Sequence, residues 1–224
     1  MWLHNGGLIA SAAPEPAATY QVIEGFEGAG LPSDWTVIDS DATIDADNTS
    51  RFLFGSESLR VKEDSGTGSV DVIEWAPQEL AGGGNPDYTI IYYNEESTDA
   101  FGFGWLFRDS NGDDVGAFLS NNPQWVYYDA NGFTKNDSSL SSTNEWFKIR
   151  IDFDWVNYEF DINAERVSDG STFNIVIGAI MRVQTNIEKF VVPKFNSFDS
   201  ASNYSFSSDG KVDVWLDNVE VTKQ

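Results

Sequence analysis

The chain predicts an all-β fold: two packed antiparallel sheets in a jelly-roll sandwich, entered by an extended N-terminal arm. Three observations carry this. Phe147, Ile149, Ile151 and Phe153 alternate strictly with Lys148, Arg150, Asp152 and Asp154, the pattern of a half-buried antiparallel strand. The dipeptides Asn111-Gly112 and Asn131-Gly132 each stand between strand-like runs and suit the positive φ of a tight hairpin turn. No window combines helical apolar spacing with capping residues, and about a dozen short strands with polar turns read as two sheets.

Taken in order, residues 1–20 form an arm. Gly6 and Gly7 precede Ala13 to Pro16, whose two prolines favour extended geometry and stop any helix. Leu8 to Ala13 is too short for a leader's apolar core and follows no Lys or Arg, although Ala10-Ser11-Ala12 has the small-residue pattern of a cleavage site. The arm is therefore expected to stay on the chain and to dock on its own domain or a neighbouring subunit. Residues 21–224 form the sandwich. Strands are expected at Tyr20 to Phe26, Trp35 to Ile38 after a Gly-Leu-Pro turn, Ser58 to Lys62, Ser69 to Trp75, and Tyr88 to Tyr93 after Gly82 to Pro86. The two hairpins follow, then the alternating strand, then Tyr158, Phe160 and Ile162. Thr172 to Val183, Lys189 to Phe195 and Val212 to Val221 close the domain.

Charge narrows the setting. The 224 residues carry 36 Asp and Glu against 13 Lys and Arg, a net charge of −23 spread along the whole length. Self-repulsion of that size opposes compaction in dilute buffer, and at molar salt the screening length shrinks to about 3 Å and removes it. A high-salt environment is expected. Scattered single cations do not make a phosphate-binding surface, so nucleic acid is excluded as a partner. No apolar run of membrane-spanning length exists. The chain has no cysteine and one histidine, His4, so thiolate chemistry, a catalytic triad and a multi-histidine zinc site all lack their parts.

Several constellations bear on chemistry. Asp109-Ser110-Asn111-Gly112-Asp113-Asp114 has the oxygen spacing of a calcium loop but Ser120 at the twelfth position, so it reads as an acidic hairpin turn. Asp129-Ala130-Asn131-Gly132 is the same device with fewer acids. Glycoside hydrolysis needs two carboxylates, and Asp71 with Glu74 is a candidate pair of the kind that chance supplies in so acidic a chain. Trp125 and Tyr127 share a strand face with Asp129, and Trp155 follows the alternating strand. Together they suggest a flat aromatic platform for sugar rings, with Asp129 gripping hydroxyls. Phe101, Phe103, Trp105 and Phe107 read as core, with Gly102 and Gly104 opposite them allowing close backbone approach.

Three segments carry a family resemblance: Glu24-Gly25-Phe26-Glu27-Gly28 with Leu31-Pro32 and Trp35; Trp146 to Asp154; and Val214-Trp215-Leu216-Asp217-Asn218-Val219. Over residues 20 to 222 the chain resembles concanavalin A-like lectin/glucanase and laminin-G-like domains, and related carbohydrate-binding modules. The resemblance implies a structural calcium ion where a first-strand Glu meets a last-strand Asp, here Glu24 or Glu27 with Asp217. The sandwich-fold glucanases carry Glu-x-Asp-x-x-Glu, and Ser69 stands where the first Glu belongs.

The expectation is a non-enzymatic surface structural or adhesion protein, a decoration, turret or tail component of a halophilic virus. Its partners would be like subunits in a homo-oligomer, joined through the arm, and host envelope glycans. A secreted or cell-surface carbohydrate-binding module is the alternative, and a glycoside hydrolase or lyase with another acid pair the third reading.

Overall fold

The computed structural model of the protein describes residues 20–28, 30–63, 66–77, 86–94, 103–121, 124–136, 145–194, 205–207 and 209–223. Residues 1–19, nearly all of the expected arm, lie outside them. The strands are β1 (Tyr20–Glu24), β2 (Trp35–Val37), β3 (Thr43–Asn48), β4 (Ser58–Glu63), β5 (Asp71–Trp75), β6 (Pro86–Asn94), β7 (Phe103–Arg108) and β8 (Asp114–Asn121). They continue with β9 (Gln124–Asp129), β10 (Gly132–Asn136), β11 (Trp146–Asp154), β12 (Glu159–Arg166), β13 (Thr172–Ile180), β14 (Lys189–Pro193) and β15 (Val212–Lys223). No helix occurs among the described residues.

One sheet runs β13-β12-β11-β6-β15-β4-β3 with β1 added along β15, and the other runs β10-β9-β8-β7-β14-β5-β2. The pairings are antiparallel, as the alternation and the hairpin turns predict. Between the sheets lies an aromatic core. Trp35 stacks on Trp75 with ring centroids 5.6 Å apart, and Phe190 meets Trp105 edge-on at 5.8 Å. Phe107 makes an edge contact with Phe153 at 5.3 Å, which joins the two sheets. Trp105 and Phe107 are core as expected, whereas Phe101 and the Phe103 side chain lie outside the described residues. A side chain on Gly104 would collide with Leu119, so this glycine serves the close approach of β7 and β8.

The structure departs from the sequence reading at three places. Residues 43–48, where no strand is expected, form β3, because Ile44 and Ala46 pack on the core while Asp45 and Asp47 are taken up in hydrogen bonds. Asp45 accepts from Asn48 Nδ2 at 2.8 Å, and Asp47 from Gly30 N at 2.9 Å. Phe26 and Tyr158 leave their expected strands: both adopt positive φ, 53° and 56°, and turn the chain while their rings pack on the core.

β15 changes partner midway. Val212 to Leu216 pair with β4, Val219 to Lys223 with β1, and β6 runs along the other edge with a register shift between Asp217 and Glu220. Asn218 absorbs the irregularity at φ 49°. Asp217 sits at the switch, fully buried.

Candidate functional site

The predicted aromatic platform does not form at the surface. Trp125 is fully buried, its ring 5.2 Å from Phe147 and 5.3 Å from Phe173, so it closes the core between β9 and the opposite sheet. Tyr127, on the same face, is half-buried against that core. Asp129 is buried, and its carboxylate accepts from Asn131 N at 2.8 Å and Asn131 Nδ2 at 3.3 Å. It closes the hairpin turn. Trp155 stacks on Phe153 at 5.3 Å and is half-buried. Strand alternation correctly groups Trp125, Tyr127 and Asp129, but the shared face points inward.

The other face of β9 is also covered. Leu106, Ala117, Leu119, Val126 and Val191, all on the outer face of the seven-stranded sheet, are buried. Tyr128 stacks on Phe133 at 4.2 Å, and Phe206, from the connection between β14 and β15, closes on both at 5.8 and 5.5 Å. The Arg182 guanidinium lies 4.1 Å from the Tyr128 ring centroid, a cation–π contact. This sheet therefore has side chains packed on both faces, and the chain itself supplies the outer layer.

The outer face of the eight-stranded sheet differs. Across β11, β12 and β13 lies an open groove of about 320 Å³ walled by Lys148, Arg150, Asn163, Glu165, Thr172 and Asn174. Its position follows from register. Lys148 pairs with Glu165 and Glu165 with Thr172; Arg150 pairs with Asn163 and Asn163 with Asn174. Directly opposed residues share a face, so two rungs of three polar side chains stand together. Beneath them, Ile149, Ile151, Ile162 and Ala164 are buried and anchor the strands to the core. Arg150 Nε donates to Asp152 Oδ1 at 2.9 Å. Asn136 Nδ2 donates to the Asn174 and Ile175 carbonyls at 3.0 and 2.6 Å, bracing the sheet edge from β10. Lys148 and Arg150 stand out in the sequence only as the polar side of an amphipathic strand. Short turns after Asp154 and Arg166 are the signal that folds β12 and β13 back beside them.

The acid pair Asp71 and Glu74 is neutralised. Arg108 bonds Asp71 through Nη1 and Asp114 through Nε at 2.8 Å, and Lys189 Nζ lies 3.0 Å from Glu74. Asp109 accepts from Asn111 N at 2.9 Å and Asp113 N at 2.8 Å, so the calcium-like loop is a hydrogen-bonded turn, as expected.

Glu27 and Asp217 converge on the loop of residues 51–57. Asp217 Oδ2 accepts from Leu53 N at 2.7 Å and Phe54 N at 2.8 Å; Glu27 accepts from Ser56 N at 2.9 Å, Ser56 Oγ at 2.9 Å and Glu57 N at 3.2 Å. Gly55 permits this: its φ is 66°, and a side chain there would run into the Glu27 carboxylate. The donors from Ser56 and Glu57 hold the Glu27 carboxyl below the usual range. Burial pushes the Asp217 carboxyl above it, the Leu53 and Phe54 donors work against that, and the Glu27 charge adds to the rise. Asp217 Oδ1 is buried with no hydrogen-bond partner among the described residues. An orphaned carboxylate oxygen beside a second carboxylate fits a hard cation. Glu24 faces Val219 across the β1–β15 ladder, and its side chain lies outside the described residues.

No protein-family model matches the chain, and no curated protein sequence matches it. Solved structures do. Arcelin-5, a lectin-like defence protein from Phaseolus vulgaris, matches at 9% identity and a TM-score of 0.51, over 91% of this chain and 98% of that one. The catalytic domain of a glycoside hydrolase family 131 protein from Coprinopsis cinerea matches at 13% identity and 0.52, over 85% and 83%. The CBM2 module of the evolved Dit of Lactobacillus casei BL23 phage J-1 matches at 12% and 0.50, over 91% and 95%. The chain also matches a sialidase, of whose length it spans 17%. The fold is the concanavalin A-like jelly roll, which a lectin-like defence protein and a glycoside hydrolase catalytic domain share.

Proposed function

We propose that the chain is a non-enzymatic surface protein with a lectin-like fold, an adhesion or structural component of a virion from a high-salt environment, contacting envelope glycans through the groove on β11, β12 and β13. The groove carries the reading: amides, a hydroxyl, a carboxylate and two cations stand together on rigid strands, the side-chain set that grips sugar hydroxyls. The phage Dit module supports the virion setting, since that module has this fold over nearly its whole length. Neutralisation of Asp71 and Glu74 by Arg108 and Lys189 favours binding over hydrolysis. The second reading, a glycoside hydrolase, draws on the likeness to the family 131 catalytic domain. Incubation with a panel of cell-envelope polysaccharides at molar salt separates the two. Retention on immobilised polysaccharide without reducing-sugar release is expected, and sugar release would overturn the non-enzymatic reading. The same salt series tests the setting: with a net charge of −23, the melting midpoint rises as salt is added.

The proposal includes a structural calcium ion held by Asp217 Oδ1 and Glu27, which would neutralise the crowded carboxylates and tie the loop of residues 51–57 to β15. It includes assembly through residues 1–20. Light scattering at molar salt of the full chain and of a chain lacking residues 1–19 tests the arm: a defined oligomer that becomes a monomer supports it, and two monomers overturn it.

A further inference from the structure

We infer that the groove recognises an acidic saccharide, one that carries a carboxylate or sulfate beside its hydroxyls. This rests on the glycan reading and adds the charge of the ligand. Neighbouring strands lie about 4.8 Å apart and same-face residues about 7 Å apart along a strand, so the two rungs frame a field of about 10 by 7 Å. That is the size of one pyranose ring with its substituents. The field is polarised. Both cations, Lys148 and Arg150, stand on β11, while the uncharged donors and acceptors Asn163, Thr172 and Asn174 stand on β12 and β13.

Five described cations in this acidic chain are committed to carboxylates away from the groove: Arg60 to Asp213, Arg108 to Asp71 and Asp114, Arg166 to Asp169, Lys189 to Glu74 and Lys194 to Asp39. Lys148 makes no ion pair among the described residues, although Glu165 is its cross-strand neighbour. Its ammonium is exposed at the groove, beside a guanidinium that Asp152 holds in orientation. A ligand acid group then sits over β11 with charge-assisted bonds from both, and its hydroxyls reach Glu165 and the amides across the field. The net charge of −23 does not forbid this, because at molar salt the screening length of about 3 Å leaves only contact pairs to act.

Calorimetric titration of the full chain at molar salt tests the inference with three probes: an oligogalacturonate for the carboxylate, a sulfated galactan oligosaccharide for the sulfate, and a neutral galactan oligosaccharide. At least one acidic probe binds about tenfold more tightly than the neutral one, and Lys148→Gln removes that margin while the melting midpoint holds. Asn163→Ala weakens acidic and neutral probes alike. Equal affinity for neutral and acidic probes, unmoved by Lys148→Gln, overturns the inference and leaves the glycan reading standing. Silence with all three, and with the polysaccharide panel, overturns both.

Discussion

The outer faces of the two sheets have met solvent in opposite ways. On the seven-stranded sheet, Leu106, Ala117, Val126 and Val191 form an apolar floor with the rings of Tyr128 and Phe133, and Phe206 closes over it. On the eight-stranded sheet, the same layer across β11, β12 and β13 is polar, open and grooved. A sheet with one wet face alternates apolar and polar residues, and β11 does so: Phe147, Ile149, Ile151 and Phe153 are buried while Lys148 and Arg150 between them are exposed. β9, Gln-Trp-Val-Tyr-Tyr-Asp, does not, because both its faces are packed. An aromatic strand in a lectin-like fold need not be a sugar platform: here the aromatic faces are packed inside the chain, and it is the polar face that stays open.

The largest effect that tests this contrast is loss of core aromatic volume. Trp125→Ala costs about 3–5 kcal/mol in urea unfolding and leaves the affinity of the remaining folded protein for glycan unchanged. Reduced affinity at unaltered stability would restore the platform reading. A buried ion pair anchors the covered side: Lys194 Nζ lies 2.8 Å from Asp39 Oδ2, and the Lys194 carbonyl accepts from Ser207 N at 3.2 Å, next to Phe206. Lys194→Met strands the Asp39 carboxylate and costs about 3–5 kcal/mol, and replacing both residues costs less than this single change.

Acidification probes the same pair. Burial works to raise the Asp39 carboxyl, but the bond from Lys194, the Asp41 N–H and the Lys194 charge outweigh it and hold it below its ordinary value. A carboxyl lowered in the folded state contributes stability above its unfolded value and loses that contribution as pH falls through the folded one. Denaturant midpoints of the wild type therefore fall from about pH 4 downward, and Lys194→Met flattens that part of the profile.

A smaller effect belongs to the calcium proposal. At a hundredfold excess over its dissociation constant the ion adds about 2.7 kcal/mol, a chelator lowers the melting midpoint, and Glu27→Gln reduces the difference. An unchanged midpoint at saturating chelator would remove the ion from the account. The smallest effect is expected on the open face, where Thr172→Ala changes stability by no more than about 0.5 kcal/mol. A loss comparable to that of Leu106→Ala on the covered face, about 2–5 kcal/mol, would show that the groove too is a packed layer.

The all-β class, the hairpins at Asn111 and Asn131 and the strand from Trp146 to Asp154 were legible in the residues because they rest on local chemistry: side-chain period, positive φ in tight turns, and the absence of helical spacing. The meeting of Glu27 with Asp217 was legible only through resemblance, since its two members stand 190 positions apart. β3 was hidden because its acids mask the small apolar pair Ile44 and Ala46. Alternation set which of Trp125, Val126, Tyr127 and Tyr128 share a face, but not which face is core. That choice belongs to the tertiary structure, because what covers a sheet comes from elsewhere in the chain: Phe147 and Phe173 bury Trp125, while Phe206 covers Tyr128. The groove is tertiary in the same sense, as no single strand contains it and only the register of three brings its cations and amides together.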